Sequence, residues 1–519
     1  MHTAPHALGL LAASLTALTA MTSTVAARDA SGDDLARALD EMTRLREQNE
    51  RIAAANAELA AKVARLEQHA ADSGSWLTEA RAEEIRAIVG DVLADAAARD
   101  SLADDGSTAG WDKAKGFHLA SADGNFSLGI RGDAQFRWNN NHRDIGSTAA
   151  ATGSPAAGTD EDTRGFEWRR VRLTFAGNVI DPSWTYDFKL ANNRSATANN
   201  STYIDDAYVQ KSLDGGFALK VGQFKLPFLR EDQVSSTGQL AVERSLVNEV
   251  FSISRSQGVS FGWTGKDLRF EGFYGDALRA NASAPTTGAG AASGVATGQN
   301  TGFSVNPTEY AFAGRFEFKP LGEWKQFRDM QSYRGEEMGV LVGLAAYAEA
   351  MSGASGASAD EIWSATADAT VDFGGASLLV YGVYREVTLA DAQAVRGGGT
   401  DDTLEQWGAL AQLGVFVADD VELFARYEMG STDTDQFRTN ATALSATGEE
   451  DSIATLGLNW WPAGSKVKFV KVSADVGFAF TPLVDFNGTG AGYLPDYTPS
   501  AGDTSDGQWL VRTQMQFLF

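Results

Sequence analysis

The sequence contains no cysteine and only five histidines. Without cysteine the chain can form no disulfide, no thiolate metal site and no cysteine nucleophile, and its redox compartment stays undetermined. Basic residues are also scarce, because 43 Lys and Arg stand against 68 Asp and Glu, for a formal net charge of −25. A charge of that sign argues against nucleic acid as a partner.

Long hydrophobic runs are missing as well. No run of about 18 or more apolar residues occurs, so no transmembrane helix is predicted. A shorter apolar stretch covers residues 8–20, and the small residues Val25, Ala26 and Ala27 follow it. This order is typical of a signal peptide with its cleavage site. We therefore expect residues 1–27 to direct export.

The few histidines also limit the catalytic chemistry. Only His118 and His142 lie in the C-terminal four-fifths of the chain, and no Ser or Asp stands out as a partner. No zinc-binding spacing is present, and no pair of carboxylates is marked for acid–base work. The sequence predicts no catalytic residue, no metal site and no cofactor.

A heptad pattern follows the predicted signal peptide, and residues 28–75 are predicted to form a coiled coil. Apolar and Asn residues recur every seven positions, with a second set three residues later, which is the a/d seam of a self-associating helix. The a positions are Leu35, Met42, Asn49, Asn56 and Val63, and the d positions are Ala38, Leu45, Ile52, Leu59 and Leu66.

Residues 76–115 are predicted to hold an amphipathic helix and a linker. Apolar residues lie on one side of the helix over 76–102, and a Gly/Ser/Asp stretch follows at 104–110. From about residue 116 the pattern changes to a period of two, which is typical of strands.

Alternation over residues 116–519 predicts an all-β transmembrane barrel of about sixteen antiparallel strands. Most of the alternating runs have 9 to 15 residues, enough to cross a bilayer at a tilt. Long polar connections are predicted at 140–164, 230–257, 277–307, 390–404, 431–451 and 484–505, and short turns lie between them, with one exception at 321–335. This asymmetry is typical of outer-membrane barrels. The runs start near residues 125, 165, 183, 202, 217, 257, 268, 308, 336, 361, 376, 405, 420, 452, 467 and 506.

The chain ends on an alternating run, VRTQMQFLF. We expect this last strand to pair with the first, because an open sheet edge in lipid would leave backbone groups without hydrogen bonds. Odd positions such as Met515 and Phe517 should face lipid, and even positions such as Arg512 and Gln514 should face the lumen. The terminal Phe519 also resembles the C-terminal signature of outer-membrane barrels.

Four segments carry a specific family resemblance. "FEWRRVRLTFAGNV", "DDAYVQKSL", "LKVGQFKLPFLRED" and "VERSLV" occur in this order between about residues 165 and 250. They resemble the phosphate-selective porins O and P. The resemblance implies a homotrimeric sixteen-stranded porin in the outer-membrane lipid, with one loop folded into the pore.

Strand parity and this resemblance together give the candidate site. The predicted pore-lining residues are Arg131, Asp133, Arg137, Arg170, Arg172, Asp187, Lys189, Lys220 and Lys225. The two lysines of the fifth run differ in parity, and a bulge near Gly222 would turn both inward. The segment 230–257 is the candidate constriction loop, with Arg230, Glu243, Arg244 and Arg255 as its candidate charges.

The charge balance separates the general function from the family's selectivity. Residues 116–519 carry 31 basic and 49 acidic residues, whereas residues 131–255 carry 15 of each. Acidic loops repel multivalent anions, so the porin function is carried over without the family's selectivity for phosphate. The prediction is a passive diffusion channel for small hydrophilic solutes or ions, among which anions such as phosphate can be included. The alternative is a structural tether, in which a periplasmic coiled coil links the outer membrane to the cell wall.

Overall fold

The computed structural model describes single positions and short runs between residues 40 and 65. It then describes residues 107–112, 116–143, 161–192, 202–276, 308–351, 359–395, 398–433, 450–465, 467–481, 483, 491–493 and 507–519. The predicted signal peptide and the helix over 76–102 lie outside these residues. So do all the predicted seam positions of the coiled coil except Val63, which is exposed. Within the described residues no helix is both long and apolar enough to cross a membrane.

The chain divides into two units, residues 1–104 and 105–519. In the first unit, the described positions between 40 and 65 are helical and exposed. Ion pairs one turn apart, such as Lys62 with Glu58 at 2.9 Å, accompany this helix. The association of helices predicted from the heptads stays a prediction.

Strands predominate among the described residues of the second unit. Their bounds are β1 Thr108–Asp112, β2 Gly116–Ala120, β3 Ser127–Arg143, β4 Glu161–Val179, β5 Asp181–Asn192, β6 Thr202–Ser212, β7 Phe217–Lys225, β8 Arg255–Thr264, β9 Leu268–Gly275, β10 Thr308–Leu321, β11 Gly339–Met351, β12 Ala359–Asp372, β13 Ala376–Ala394, β14 Thr400–Ala418, β15 Val421–Ser431, β16 Asp451–Trp460, β17 Val470–Ala479 and β18 Trp509–Leu518.

Strands β3 to β18 form a closed antiparallel barrel of sixteen strands. Each strand pairs with the next one along the chain, and β18 pairs with β3 from Trp509 opposite His142 to Leu518 opposite Asp133. The predicted strand number and the predicted closing pair are therefore both confirmed. Closure leaves no unpaired edge within the barrel, as a lipid environment requires.

The side chains alternate across the barrel wall as predicted. On β18, Arg512 and Gln514 are buried inside, whereas Met515 and Phe517 are exposed outside. On β3, Gln135 and Arg137 are buried inside and Phe136 is exposed outside. Apolar side chains therefore cover the surface that meets lipid, and polar side chains fill the lumen.

The connections differ between the two ends of the barrel, which we call the loop end and the turn end. At the loop end, connections of up to about thirty residues join the strands, and most connections at the turn end are short. Two predicted bounds were wrong. The long connection at 390–404 is shorter, since β13 runs to Ala394 and β14 starts at Thr400. The predicted linker at 104–110 overlaps β1, because Thr108 and the residues after it pair with β2.

A small hairpin of β1 and β2 precedes the barrel. Strand β2 pairs with the first residues of β3, with Phe117 opposite Ile130. Phe519, which follows β18, lies next on the same edge of β3, because its backbone N–H and C=O both bond to Gly132. The hairpin thus continues the edge of β3 where the C-terminal strand stops.

Candidate functional site

The segment between β7 and β8, residues 226–254, folds into the lumen; we call it the inner loop. It contains helix α1 (Arg230–Gln233), a 3-10 turn (Ser236–Gly238) and helix α2 (Leu246–Phe251). The Ser245 hydroxyl accepts a hydrogen bond from the Asn248 N–H and so caps α2. The loop brings apolar residues inside a polar-lined barrel, and these side chains are almost fully buried: Leu226, Phe228, Leu229, Leu240, Leu246, Val247 and Phe251.

Side chains of the barrel wall bind the backbone of the inner loop. The donors come from strands β3, β10, β13, β15, β16, β17 and β18. The bonds are Arg137 to the Val242 carbonyl (3.2 Å), Arg315 to Phe228 (2.8 Å), Arg385 to Val250 (2.9 Å), Arg426 to Glu243 (2.9 Å), Asn459 to Leu240 (2.8 Å), Lys471 to Gln239 (2.9 Å) and Gln516 to Thr237 (3.1 Å). These bonds supply partners for backbone carbonyls of a loop that lies buried in the lumen. These contacts fix the loop against one side of the lumen.

Glu231 of α1 ties the inner loop to the same side. Its carboxylate accepts hydrogen bonds from the Ser245 N–H (2.9 Å) and the Tyr381 hydroxyl (2.9 Å), and it pairs with Arg426 at 3.3 Å. Both members of the ion pair are almost fully buried. A buried pair of this kind is strongly destabilised when one partner is removed.

Glu243 ties the loop to the neighbouring strands β3 and β4. Its carboxylate contacts the guanidinium groups of Arg137 (2.7 Å), Arg169 (2.5 Å) and Arg170 (2.6 Å). Burial would raise the pKa of Glu243, but the charges of Arg169, Arg170 and Arg137 outweigh burial and hold the pKa well below its ordinary value. The carboxylate therefore stays ionised at neutral pH.

A bulge in β4 explains why Arg169 joins this group. The pairing with β3 shifts by one residue here, with Gln135 opposite Arg170 and Phe136 opposite Trp168. The extra residue lets two consecutive arginines reach the lumen. The parity analysis found Arg170 and missed Arg169. A signal was present, since the apolar residues stand at even positions before the arginine pair (Trp168) and at odd positions after it (Val171).

A second bulge lies in β6 and contains an acidic pair, Asp205 and Asp206. The pairing of β5 with β6 shifts after Lys189, which lies opposite Asp206. Arg255 contacts both Asp205 (3.0 Å) and Asp206 (2.6 Å), and Lys189 also pairs with Asp206. Arg255 was predicted as a loop residue, but it is the first residue of β8. The aspartate pair, like the arginine pair, lies in a segment that carries the family resemblance.

The wall of β3 to β5 carries four more of the predicted pore-lining residues, Arg131, Asp133, Arg172 and Asp187. Arg172 makes a bidentate ion pair with Asp133, with N–O distances of 2.9 to 3.1 Å, and also donates to the Ser236 hydroxyl. Arg131 is exposed. The Asp187 Oδ1 is buried without a hydrogen-bond partner in the part of the chain that the structure describes. Arg137 and Arg170 therefore share the Glu243 carboxylate, whereas Arg172 pairs with Asp133.

The two lysines of β7 reach different partners. Lys220 pairs with Glu271 on β9 at 2.8 Å, and the Lys225 ammonium donates to the Asp232 carbonyl of the inner loop. The predicted bulge near Gly222 is absent, because β7 pairs with β6 and β8 without a register shift. Gly222 instead has φ +133°, and a Cβ there would lie 2.2 Å from the Ala207 carbonyl oxygen.

The remaining predicted loop charges, Arg230 and Arg244, donate hydrogen bonds to backbone carbonyls. Arg230 donates to the Phe327 carbonyl, and burial lowers its pKa to about 10 against the opposing charge of Glu317. Arg244 donates to the Val234 carbonyl at 2.8 Å. Asp232 is buried too, but the charges of Lys225 and Arg244 lower its pKa.

The one long connection at the turn end, residues 322–338, covers part of the lumen from below; we call it the turn-end segment. The Met330 N–H bonds to the Gly238 carbonyl of the inner loop at 2.9 Å. Asp329 pairs with Lys468 at 2.7 Å, on the far side of the barrel. Tyr333 packs with Phe416 and Trp461 in a small buried cluster. The sequence marked this segment only as an exception to the alternation of loop lengths.

A cavity of about 540 Å³ lies between the inner loop, the turn-end segment and the wall of β8 to β10. Four arginines and two glutamates line it, so its charge is net positive in a chain of net charge −25. Its lining residues are Pro227, Arg230, Gln233, Val234, Ser235, Thr264, Arg269, Glu271, Arg315, Glu317, Trp324, Phe327 and Arg328. Of these residues the sequence predicted only Arg230, as a charge of the candidate constriction loop, because the others come together through long-range folding.

The two histidines are placed on strands. His142 lies at the end of β3, not in the first loop as predicted, where it contacts Asp162 at 3.0 Å and stacks on Trp509. His118 lies on β2. Among the described residues no group of three or more His, Asp or Glu is arranged to hold a metal ion.

A closed sixteen-stranded barrel with lipid-facing apolar side chains and a loop folded into a charged lumen defines the class of outer-membrane porins. Residues 147–334 match the model of the family described as phosphate-selective porin O and P. This match covers all four sequence segments that carry the resemblance, and the predicted resemblance is confirmed.

Several solved structures are similar to this chain. An anion-selective porin from Comamonas acidovorans is 12% identical, with a TM-score of 0.44 over 76% of this chain and 100% of that one. The outer membrane channel DcaP of Acinetobacter baumannii is 12% identical, with a TM-score of 0.45 over 76% of this chain and 98% of that one. OmpT of Vibrio cholerae is 11% identical, with a TM-score of 0.44 over 76% and 98%. A search of curated proteins finds no match. At such low identity, the solutes of these proteins give no information on those of this chain.

Proposed function

We propose that this protein is an outer-membrane porin, a passive diffusion channel for small hydrophilic solutes or ions. The observation that carries this proposal is the position of the inner loop, which is fixed to one side of a closed barrel by hydrogen bonds from seven strands. A loop held in this way narrows a lumen to a defined passage.

The passage runs between the inner loop and the wall of β4 to β9. Charged side chains there keep part of their surface exposed, with 23% for Lys189, 20% for Lys220 and 29% for Glu271, whereas Arg426 and Arg512 on the opposite wall keep only 2%. We assign the pore lining to the partly exposed residues of this wall. They are Arg131, Asp133, Arg172, Asp187, Lys189, Lys220 and Glu271. The constriction is assigned to the face of the inner loop that carries Arg244, together with Lys225 and Arg255. Arg230 and Glu243 are almost fully buried and hold the loop in place.

The selectivity of this passage is expected to be weak and anionic. Most of its arginines and lysines are already paired with carboxylates, as Arg172 is with Asp133 and Lys220 is with Glu271. Paired charges leave only a small net field for a passing ion. Phosphate is one of the anions that such a passage would admit.

Planar-bilayer recording tests the channel directly. The purified protein should give stepwise conductance, and its reversal potential across a salt gradient should show a modest preference for anions. A protein that inserts into the bilayer without conducting would contradict the channel. A strong cation preference would contradict the assigned lining and leave the channel itself intact.

We propose a homotrimer in the outer membrane, with the predicted coiled coil of residues 28–75 in the periplasm. The predicted heptads support self-association, and the resembling family is trimeric. Cross-linking in mild detergent should trap trimers, and recovery of monomers alone would contradict this assembly.

The tether alternative has less support, because neither the family match nor the barrel bears on cell-wall contact. Deleting residues 28–75 distinguishes the two roles. The channel predicts unchanged conductance of the remaining barrel. The tether predicts that the deletion weakens the cell envelope. An envelope of unchanged integrity would contradict the tether.

A further inference from the structure

We infer that the net-positive cavity between the inner loop, the turn-end segment and β8 to β10 is a binding subsite for organic oxyanions, small solutes with one oxyanion group on an apolar body. This inference rests on the proposed channel function and names the class of solute that pauses in it. The volume of about 540 Å³ lies in the range of small-molecule sites, roughly 300–1,000 Å³.

Two of the four arginines, Arg269 and Arg328, keep an accessible surface, whereas Arg230 and Arg315 are almost fully buried. Arg315 is fully engaged, because it binds Glu317 (2.9 Å), Asp368 (2.8 Å) and the Phe228 carbonyl (2.8 Å). Arg269 contacts Glu317 through one edge of its guanidinium, and 40% of its side chain stays exposed. Arg328 is exposed and makes no ion pair with any residue that the structure describes.

Arg269 is held in place for binding. Its guanidinium carbon lies 4.7 Å from the centre of the Trp324 ring, and the indole N–H of Trp324 donates to the Gly265 carbonyl at 3.0 Å. A stacked, bridged guanidinium has lost most of its rotamer freedom before any ligand arrives. Its remaining N–H groups can bind two oxygens of one carboxylate or phosphate group.

The other walls of the cavity are apolar, and they decide between classes of anion. Pro227, Val234, Trp324 and Phe327 line the space beside the arginines. Inorganic phosphate is hydrated on all sides and gains nothing from such walls. A solute with an apolar body gains free energy in proportion to the apolar surface removed from water. The mixture of walls therefore favours an organic anion over an inorganic one.

Titration calorimetry with benzoate on the detergent-solubilised full chain tests the subsite. Arg328→Gln and Arg269→Gln should each weaken benzoate binding by about tenfold, the loss expected for a charge-assisted hydrogen bond. Lys325→Gln is the matched control, since it removes one charge from the same segment but does not line the cavity. It should change binding by less than about twofold.

Two further probes separate the parts of the inference. Benzyl alcohol, which lacks the charge, and inorganic phosphate, which lacks the apolar body, should both bind more weakly than benzoate. Equal binding of phosphate would overturn the organic class, and equal binding of benzyl alcohol would overturn the role of the arginines. Unchanged benzoate binding in both arginine variants would overturn the site.

The proposed channel function fails separately from this subsite. Benzoate binding that depends on Arg269 and Arg328, in a protein that shows no bilayer conductance, would support the site and overturn the channel. Conductance without any benzoate binding would support the channel and overturn the site.

Discussion

The two sides of the lumen wall use charge in different ways. On the side of β13 to β18, cations such as Arg385, Arg426 and Lys471 are almost fully buried and bond to backbone carbonyls of the inner loop. On the side of β4 to β9, cations such as Lys189 and Lys220 pair with carboxylates and stay partly exposed. The same residue types thus hold a loop on one side and border water on the other. Burial and partner, rather than residue type, separate anchoring charges from pore-lining charges.

The largest effect should come from breaking the anchoring side. Arg426→Ala leaves the Glu231 carboxylate buried without its cation, a change that costs about 3–5 kcal/mol in buried ion pairs. The inner loop should leave the wall, and single-channel conductance should rise at least about twofold as the passage widens. Bilayer recording measures it. Lys220→Ala removes one cation from the opposite wall and is the control. Equal conductance in both variants would contradict the assignment of an anchoring side and a pore-lining side.

A second substitution acts where the two sides meet. Arg170→Glu with Arg172→Glu places two carboxylates beside Glu243 and Asp133, so we expect reversal potential to shift toward cations and conductance to become noisier as the loop loosens. Arg131→Glu makes one such charge reversal at an exposed position and should shift selectivity by a smaller amount, without noise. A shift in neither protein would mean that this wall does not border the rate-limiting passage.

Acid should release the loop only well below neutral pH. The pKa of Glu243 is lower in the folded protein than its ordinary value of 4.5, because its three arginines outweigh burial. The ion cluster therefore stabilises the loop above about pH 4.5, and this stability is lost as pH falls through the lower folded-state value. Conductance should therefore rise when the pH falls well below 4.5 and Glu243 becomes protonated.

Two Glu→Gln variants sharpen this pH prediction. Glu243→Gln should raise conductance already at neutral pH. At Glu249, burial and the nearby Glu243 raise the pKa instead. The contribution of Glu249 to the stability of the folded protein is therefore lost as pH rises through this raised pKa. Glu249→Gln should therefore leave the loop in place or stabilise it. A release of the loop by both variants at pH 7 would contradict the opposite signs of the two shifts.

The smallest effect is expected on the partly exposed wall. Lys220→Gln breaks an ion pair with Glu271 that water screens, so its effect on stability should be below about 1 kcal/mol. The reversal potential should shift slightly toward cations, because Glu271 is left unpaired. A large loss of thermal stability would show that this wall, too, is anchoring.

Local periodicity was enough to predict the barrel but not the arrangement inside it. Alternation at positions such as Met515 and Phe517 gave the strands, their faces and the closing pair, since a strand between lipid and lumen must alternate. The bulge at Arg169 broke that regularity and changed which side chains reach the lumen. The bonds from Arg426 and Lys471 to the inner loop join residues that are far apart in the chain, and no local pattern records them.

The hairpin of β1 and β2 has a consequence for how the barrel closes. Phe519 bonds to Gly132, and β2 begins to pair at Ile130, so only Arg131 separates the two strands along the edge of β3. A slip of β18 by one residue would reverse all its faces, and a slip toward the turn end would drive Phe519 into β2. The hairpin thus occupies the part of the β3 edge that such a slip would require.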